Sequence, residues 1–288
     1  MQYRIMAPGS GGFEMQFYAD TSDKVQEKRD YPAHIHDCLE VYLLVQGDVS
    51  FLVEGHLYHL QAGDAVISKP NELHNCILNT ASPHRHFCFW FDAAEPFFFE
   101  RFLRHDPGEG NLISPEDPQV RAGILSVAAQ LLDAAENGGE MLLQYAKAVE
   151  LLALWQQNLA CAAGSDLPDV LQMILRDIEQ DLPHIRRLSY FTEKYFISFS
   201  TLGRLFRVHL GTSPKAYLED KRLALARARM RAGARVNEAC DAAGFGDLSD
   251  FIRSFRRRFG ITPAVYRREG DAAGALASNI YITRSRKR

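Results

Sequence analysis

His34 and His36 stand two residues apart, Glu40 follows four residues later, and His74 lies further along the chain. Alternate side chains of an extended segment share a face, so the imidazoles of His34-x-His36 point the same way. Three imidazoles and one carboxylate make a donor set suited to a first-row transition metal. The same groups can line a pocket for a small polar molecule, and any one histidine can be a hydrogen-bonded structural residue. A second set of candidate residues is basic. Arg204 and Arg253 are each able to give two hydrogen bonds to guanine O6 and N7. Ser200, Thr201, Leu248, Ser249 and Asp250 flank them and are placed to touch bases or thymine methyls. Arg207, Arg256, Arg257 and Arg258 suit phosphate, which positions a protein on a duplex without specifying its sequence.

A duplicated phrase shows which elements carry the basic set. Phe206-Arg207-Val208-His209-Leu210-Gly211-Thr212-Ser213-Pro214 is echoed by Phe255-Arg256-Arg257-Arg258-Phe259-Gly260-Ile261-Thr262-Pro263, an offset of 49 residues (206 to 255). The same offset carries Ser200 onto Ser249, Arg204 onto Arg253 and Tyr217 onto Tyr266. Two like units argue against a solenoid, which needs three or more. In the first unit a short helix over Leu188–Tyr195 precedes a helix over Phe199–His209, capped by Ser198 and buried through Leu202, Leu205 and Phe206. Gly211 ends it, and Pro214 opens a longer helix to Met230 with Lys221, Arg222, Arg227 and Arg229 on it. In the second unit Val236–Ala243 leads through Gly244-Phe245-Gly246 to a helix ending at Phe259, capped by Asp247 or Ser249. Its expected buried side is Phe251, Ile252 and Phe255. A helix, a short turn and a second helix with a basic outer face form a major-groove reader, and two in one chain would read a bipartite site about 34 Å apart. The first unit has Phe196-Ile197 in place of a turn glycine, and Gly203 where a reading side chain is expected. Fewer base contacts are therefore predicted from the first recognition helix.

The histidine set lies in a stretch of short strands. Val41–Val45, Ser50–Val53, Leu57–Leu60, Ala65–Ser68 and His86–Phe91 are apolar runs punctuated by Glu54-Gly55, Gly63-Asp64 and Lys69-Pro70-Asn71, the pattern of a sandwich or barrel. His84 and His86 sit near a proline turn and are expected on the surface or in a strand. Between the two halves, Val120–Ala135 and Leu142–Leu159 have helical apolar spacing and are joined across Asn137-Gly138-Gly139 as a helical hairpin. That hairpin covers the barrel, joins two copies of the chain, or does both. Ala160–Asp166 reads as an interdomain linker.

Charge follows the same division. Met1–Asp166 has 10 Lys+Arg against 23 Asp+Glu, and Leu167–Arg288 has 23 against 13, within a formal net charge of −3. A basic half fused to an acidic half points to a nucleic-acid module attached to one that does not touch nucleic acid. The five cysteines, Cys38, Cys76, Cys88, Cys161 and Cys240, are scattered and lack a C-x-x-C pair, which fits reduced thiols and a cytoplasmic protein. No signal pattern or membrane-spanning apolar run is read.

Two resemblances follow from these motifs. His34-x-His36-x3-Glu40-x6-Gly47 is similar to the first motif of the cupin superfamily, and Gly63…Pro70…His74-Asn75 to the second, one residue short between Pro70 and His74. Leu188–Arg267 resembles the AraC/XylS-type transcriptional regulators through Ala242-Ala243-Gly244-Phe245…Phe251-x2-Ser254-Phe255-Arg256-x3-Gly260-x-Thr262-Pro263-x2-Tyr266-Arg267. Thr192 and Cys240 stand where that family usually has alanine. The resemblance implies an α+β multidomain chain. Residues 1–110 would be a cupin-like sensory β-barrel, 111–166 a helical hairpin for dimerisation plus linker, 167–270 an all-α domain with two helix-turn-helix motifs, and 271–288 a basic tail. It implies a ligand-responsive, sequence-specific DNA-binding transcription regulator, an activator of metabolic or uptake genes and not an enzyme. Its partners would be double-stranded DNA, a small-molecule effector of the sugar or organic acid class, RNA polymerase and a second copy of the chain. The effector pocket would be His34, His36, Glu40 and His74. No cofactor is required, and a divalent transition metal on those same four residues is the one group the barrel could hold. The competing reading is a metal-binding cupin sensor or enzyme fused to a DNA-binding domain.

Overall fold

The computed structural model describes residues 2–6, 14–31, 33–36, 38–91, 102, 108–159 and 167–269. The predicted linker at 160–166 and the basic tail lie outside the described residues. By packing, the chain falls into two units whose principal boundary lies between Asp166 and Leu167.

The first unit is built from strands β1 (Gln2–Met6), β2 (Glu14–Asp20), β3 (Val25–Gln26), β4 (Arg29–Asp30), β5 (Leu39–Gln46), β6 (Val49–Val53), β7 (His56–Leu60), β8 (Ala65–Ser68), β9 (His74–Leu78), β10 (Ser82–Pro83), β11 (Arg85–Phe91) and β12 (Leu112–Ile113). One sheet has the order β1-β2-β11-β5-β8-β12 and a second the order β4-β9-β6-β7, with β10 and β3 as a separate antiparallel pair. The predicted hairpin at Glu54-Gly55 is present: both residues have positive φ (48° and 88°), and Val53 pairs with His56 across them. Two positive φ values in a two-residue loop match the right-handed twist of the strands they join.

Alternation along β5 explains the layering. Leu39, Val41 and Leu43 pack with Met15, Phe17 and Phe89 against helices α1 (Pro118–Glu136) and α2 (Met141–Gln157), through Ile124, Leu131, Leu151 and Trp155. Trp155 meets Phe89 edge-on at 5.1 Å. On the other face, Tyr42 and Leu44 pack with Val49, Phe51 and Val53 of the second sheet. A strand buried on both faces reads as an unbroken apolar run, as Val41–Val45 does. The hairpin helices therefore cover the sheet. Met141, Leu142 and Leu143 at the start of α2 are nevertheless exposed.

The second unit contains α3 (Asp169–Asp181), α4 (Ser189–Lys194), α5 (Phe199–Leu210), α6 (Pro214–Arg231), α7 (Val236–Ala242), α8 (Leu248–Phe259) and α9 (Pro263–Glu269). Ser198 caps α5 by accepting from the Thr201 amide at 3.0 Å, and Asp247 caps α8 by accepting from the Asp250 amide at 2.8 Å. Each satisfies one of the amides that a helix start leaves without a partner. Gly211 and Gly260 end these helices in the left-handed conformation. Phe206 is fully buried against Tyr217, and Phe255 is fully buried among Phe251, Phe259 and Tyr266.

Lys221, Arg222 and Arg227 of α6 behave differently from a groove-facing set, whereas Lys215 and Arg229 are exposed. Lys221 and Arg227 are both only 4% exposed. The Arg227 guanidinium lies over the rings of Phe259 and Tyr266, at 4.7 and 5.3 Å from their centroids. Arg222 donates to the Ile185 carbonyl, and its burial pulls its pKa below the usual value. Cations of this kind stabilise the fold by lying on aromatic faces.

Candidate effector pocket and nucleic-acid interface

Register fixes which side chains face the space between the two sheets. Tyr42 pairs with Cys88, Glu40 with Trp90 and Leu44 with His86. Across β11, Trp90 pairs with Gln16 and Cys88 with Tyr18. Because Tyr42, Leu44 and Cys88 join the core shared with Phe51, the rest of this row turns the same way. His74 of β9 lies against the Phe51 ring at 6.0 Å between centroids. Gln16, Tyr18, Cys76, His86 and Trp90 are half-buried among fully buried neighbours.

Two hydrogen bonds set the chemistry of this interior. Trp90 Nε1 donates to Glu40 Oε2 at 2.5 Å, fixing the carboxylate. His74 Nδ1 lies 3.0 Å from the Glu72 carbonyl, so Nδ1 carries the proton and Nε2, 3.9 Å from Glu40 Oε1, presents its lone pair. The ligand atoms of His34, His36, Glu40 and His74 all lie within 4.8 Å of one another. The four residues singled out from sequence are therefore brought together. A histidine whose second nitrogen is held by a carbonyl, and a carboxylate held by an indole, provide the outer partners that metal ligands usually have. The donor set fits a divalent transition metal, and it equally fits hydroxyl groups of an organic ligand.

His84 departs from expectation. It is 2% exposed and its Nε2 lies 2.6 Å from the Tyr42 hydroxyl. It is not a surface residue, because the strand following Pro83 turns it inward. The His86 ring stacks on it at 4.4 Å, and burial together with this neighbour pushes the His86 pKa down to about 3. A stacked, buried imidazole pair resists protonation, since one cation would face another in a poorly solvated site.

In the second unit Ser200, Arg204 and Arg207 are exposed along α5, with Thr201 half-buried, and Leu248, Ser249, Asp250, Arg253, Arg256 and Arg257 are exposed along α8. Arg253 is held by Asp250 three residues earlier at 2.8 Å. Arg257 is engaged by Glu219, and Arg258, mostly covered, by Asp220 at 3.0 Å. The run Arg256-Arg257-Arg258 is thus split between an outward arginine and two that bind α6. Ile252, expected on the buried side of α8, is 36% exposed and lies on the outer face. Phe259 completes the buried side in its place. The sequence signal was available: Ile252 is out of step with the Phe251–Phe255–Phe259 spacing of four.

Comparison with known proteins places this geometry. A model of the AraC-like ligand binding domain matches residues 23–151, and a helix-turn-helix domain model matches residues 191–269. The chain belongs to the AraC family. It is a transcription regulator with a ligand-binding β-rich domain and a DNA-binding helical domain. An HTH-type transcriptional activator RhaS from Salmonella arizonae is 26% identical over 258 residues, covering 84% of this chain and 89% of that one. A RhaS from Salmonella schwarzengrund is 24% identical over 256 residues with the same coverage. Among solved structures, ToxT from Vibrio cholerae aligns over 88% of this chain and 96% of its own at 10% identity and a TM-score of 0.39. Among the described residues no helix is long and apolar enough to cross a membrane.

Proposed function

We propose that this AraC-family chain is a cytoplasmic, homodimeric activator without enzymatic activity, switched by a neutral polyhydroxylated effector of the sugar class. The RhaS relatives named as transcriptional activators support activation, which implies contact with RNA polymerase. The exposed Met141, Leu142 and Leu143 supply an apolar contact for a second copy. Arg204 and Arg253 are assigned to guanine, with Ser200, Thr201, Leu248, Ser249 and Asp250 beside them and Arg256 on phosphate.

The observation that carries the effector class is the charge of the interior row. Gln16, Tyr18, Glu40, Tyr42, His74, Cys76, His86, Cys88 and Trp90 include one carboxylate and no lysine or arginine, and His86 is held neutral. Lys69, a buried cation on the adjoining loop, is held 3.7 Å from Glu72. An organic acid would place its charge beside the Glu40 carboxylate, and this row has no lysine or arginine to offset it. A sugar would offer hydroxyls to Glu40 and His74 and a C–H face to the Trp90 and Tyr18 rings. Thermal shift with panels of neutral sugars and of organic acids tests this. Stabilisation by acids alone would reject the sugar class.

The four-residue donor group favours a second reading, a metal sensor. His34, His36, Glu40 and His74 would hold the ion, and the ion would supply Lewis acidity to polarise a bound oxygen. Metal analysis of the purified protein separates the readings: one equivalent of a divalent ion, whose removal alters DNA affinity, selects the sensor.

A further inference from the structure

Among the matched positions at which the two recognition helices differ, one changes what each can touch. In α5 that position is Gly203, and in α8 it is Ile252. A helical side chain leans toward the N-terminus, over the residue four before it. With no side chain at 203, the Arg207 guanidinium has settled there. A Cβ built on Gly203 would lie 3.1 Å from Arg207 Nη1, 3.3 Å from Nη2 and 3.5 Å from Cζ. Gly203 is accordingly buried although Ser200, Arg204 and Arg207 around it are exposed. The guanidinium therefore stands at the edge of the outer face, one turn closer to the N-terminal end than the Arg207 backbone.

In α8 no such socket exists. Ile252 fills the matched position, and Leu248 lies one turn before it. At 36% and 43% exposed, the two form an aliphatic ridge one turn long at the edge of the outer face, beside Phe251, Phe255 and Phe259. An exposed aliphatic pair between Ser249 and Arg256 is unsuited to phosphate, whereas a major groove offers one apolar group at the right depth, the thymine C5-methyl.

We infer that the two helices read chemically different bases: α5 a guanine through Arg207 lodged over Gly203, and α8 a thymine whose methyl packs on Ile252 and Leu248. This rests on the major-groove reading of both helices. It moves Arg207 from a phosphate role, which carries no sequence information, to a base-reading one, and adds Ile252 to the reading set. The two half-sites are then unlike, and the protein binds its operator in one orientation.

The test begins with an operator selected from random duplexes by the full-length protein. Each thymine is replaced in turn by deoxyuridine, which removes only the methyl, and each guanine by 7-deazaguanine, which removes only N7. In the wild type one thymine is expected to lose about fourfold in affinity, the worth of one buried methyl. Ile252→Ala should abolish that penalty while leaving the guanine penalties intact. Gly203→Ala should push the Arg207 guanidinium aside by a few tenths of an ångström and weaken, at one guanine, a 7-deaza penalty of about tenfold in the wild type. Because alanine favours helix, Gly203→Ala should also raise the melting temperature, so lost reading cannot be ascribed to unfolding. Arg207→Ala should abolish that penalty without the thermal gain. Silence of every thymine replacement, or an unchanged thymine penalty in Ile252→Ala, overturns the α8 assignment and leaves the ridge to a protein partner. A full set of guanine penalties in Arg207→Ala overturns the α5 assignment. Failure to enrich any sequence would instead reject the major-groove reading on which both stand.

Discussion

The two helix-turn-helix units share a framework and differ in the turn. In both, a short helix ends in a residue with positive φ and a recognition helix begins soon after at a side-chain cap. In the second unit the left-handed residue is Gly244, φ 79°. In the first it is Phe196, φ 52°, with its side chain 95% exposed. Left-handed backbone costs a non-glycine residue about 1–2 kcal/mol. The reason one turn needs glycine and the other tolerates phenylalanine is local crowding: a Cβ on Gly244 would sit 2.6 Å from the Pro183 carbonyl oxygen, whereas the Phe196 side chain extends into solvent. Chain conformation is what the duplication preserves, and residue type follows only where space is short.

Substitutions can break this comparison. The largest effects are expected in the paired aromatic cores. Phe255→Ala and Phe206→Ala should each cost about 3–5 kcal/mol, read by denaturant unfolding, and equal costs would show that the halves are equally dependent on their cores. Gly244→Ala should cost roughly 2–4 kcal/mol by adding left-handed strain to overpacking against Pro183. Removal of the caps, Asp247→Ala and Ser198→Ala, should cost about 1 kcal/mol each, with amide exchange accelerating only in the first turn of the affected helix. Phe196→Gly should have the opposite sign. Relief of left-handed strain, less the greater freedom of glycine in the unfolded chain, leaves a gain of about 0.5–1 kcal/mol. A loss of stability in Phe196→Gly would mean that the exposed ring makes a contact that offsets its backbone.

Much of the second unit was legible because the repeat reports itself twice. The caps at Ser198 and Asp247, the stops at Gly211 and Gly260 and the helix starts at Pro214 and Pro263 are set by local chemistry, and all are seen. What periodicity does not report is the material that covers a face. Ile252 was placed inside because it is apolar, and Lys221 and Arg227 were read from composition although aromatic rings close over them. In the first unit the strands from β5 to β8 were marked by turns, but β2 was not read, although Met15, Phe17 and Ala19 alternate inward along it. Nothing in its sequence names β11 as its neighbour, a pairing across some seventy residues of chain. The grouping of His34, His36 and Glu40 was legible because it is local. His74 was grouped with them through the resemblance of its segment to a known motif, whereas the burial of His84 depends on how distant strands are brought together.

The burial of Lys221 and Arg227 on α6 has a thermodynamic consequence for the protein on DNA. Every phosphate neutralised by an arginine or lysine at a duplex surface releases condensed counterions, so the logarithm of affinity falls linearly with the logarithm of salt, by about 0.9 per phosphate. Lys221 and Arg227 are sealed against aromatic rings, and Arg257 and Arg258 face Glu219 and Asp220. None of these is poised to displace an ion from the duplex. The salt slope will therefore count the outward cations that meet the duplex rather than the charge of the half-chain, and the complex will persist at ionic strengths that would dissolve one built on all of its cations.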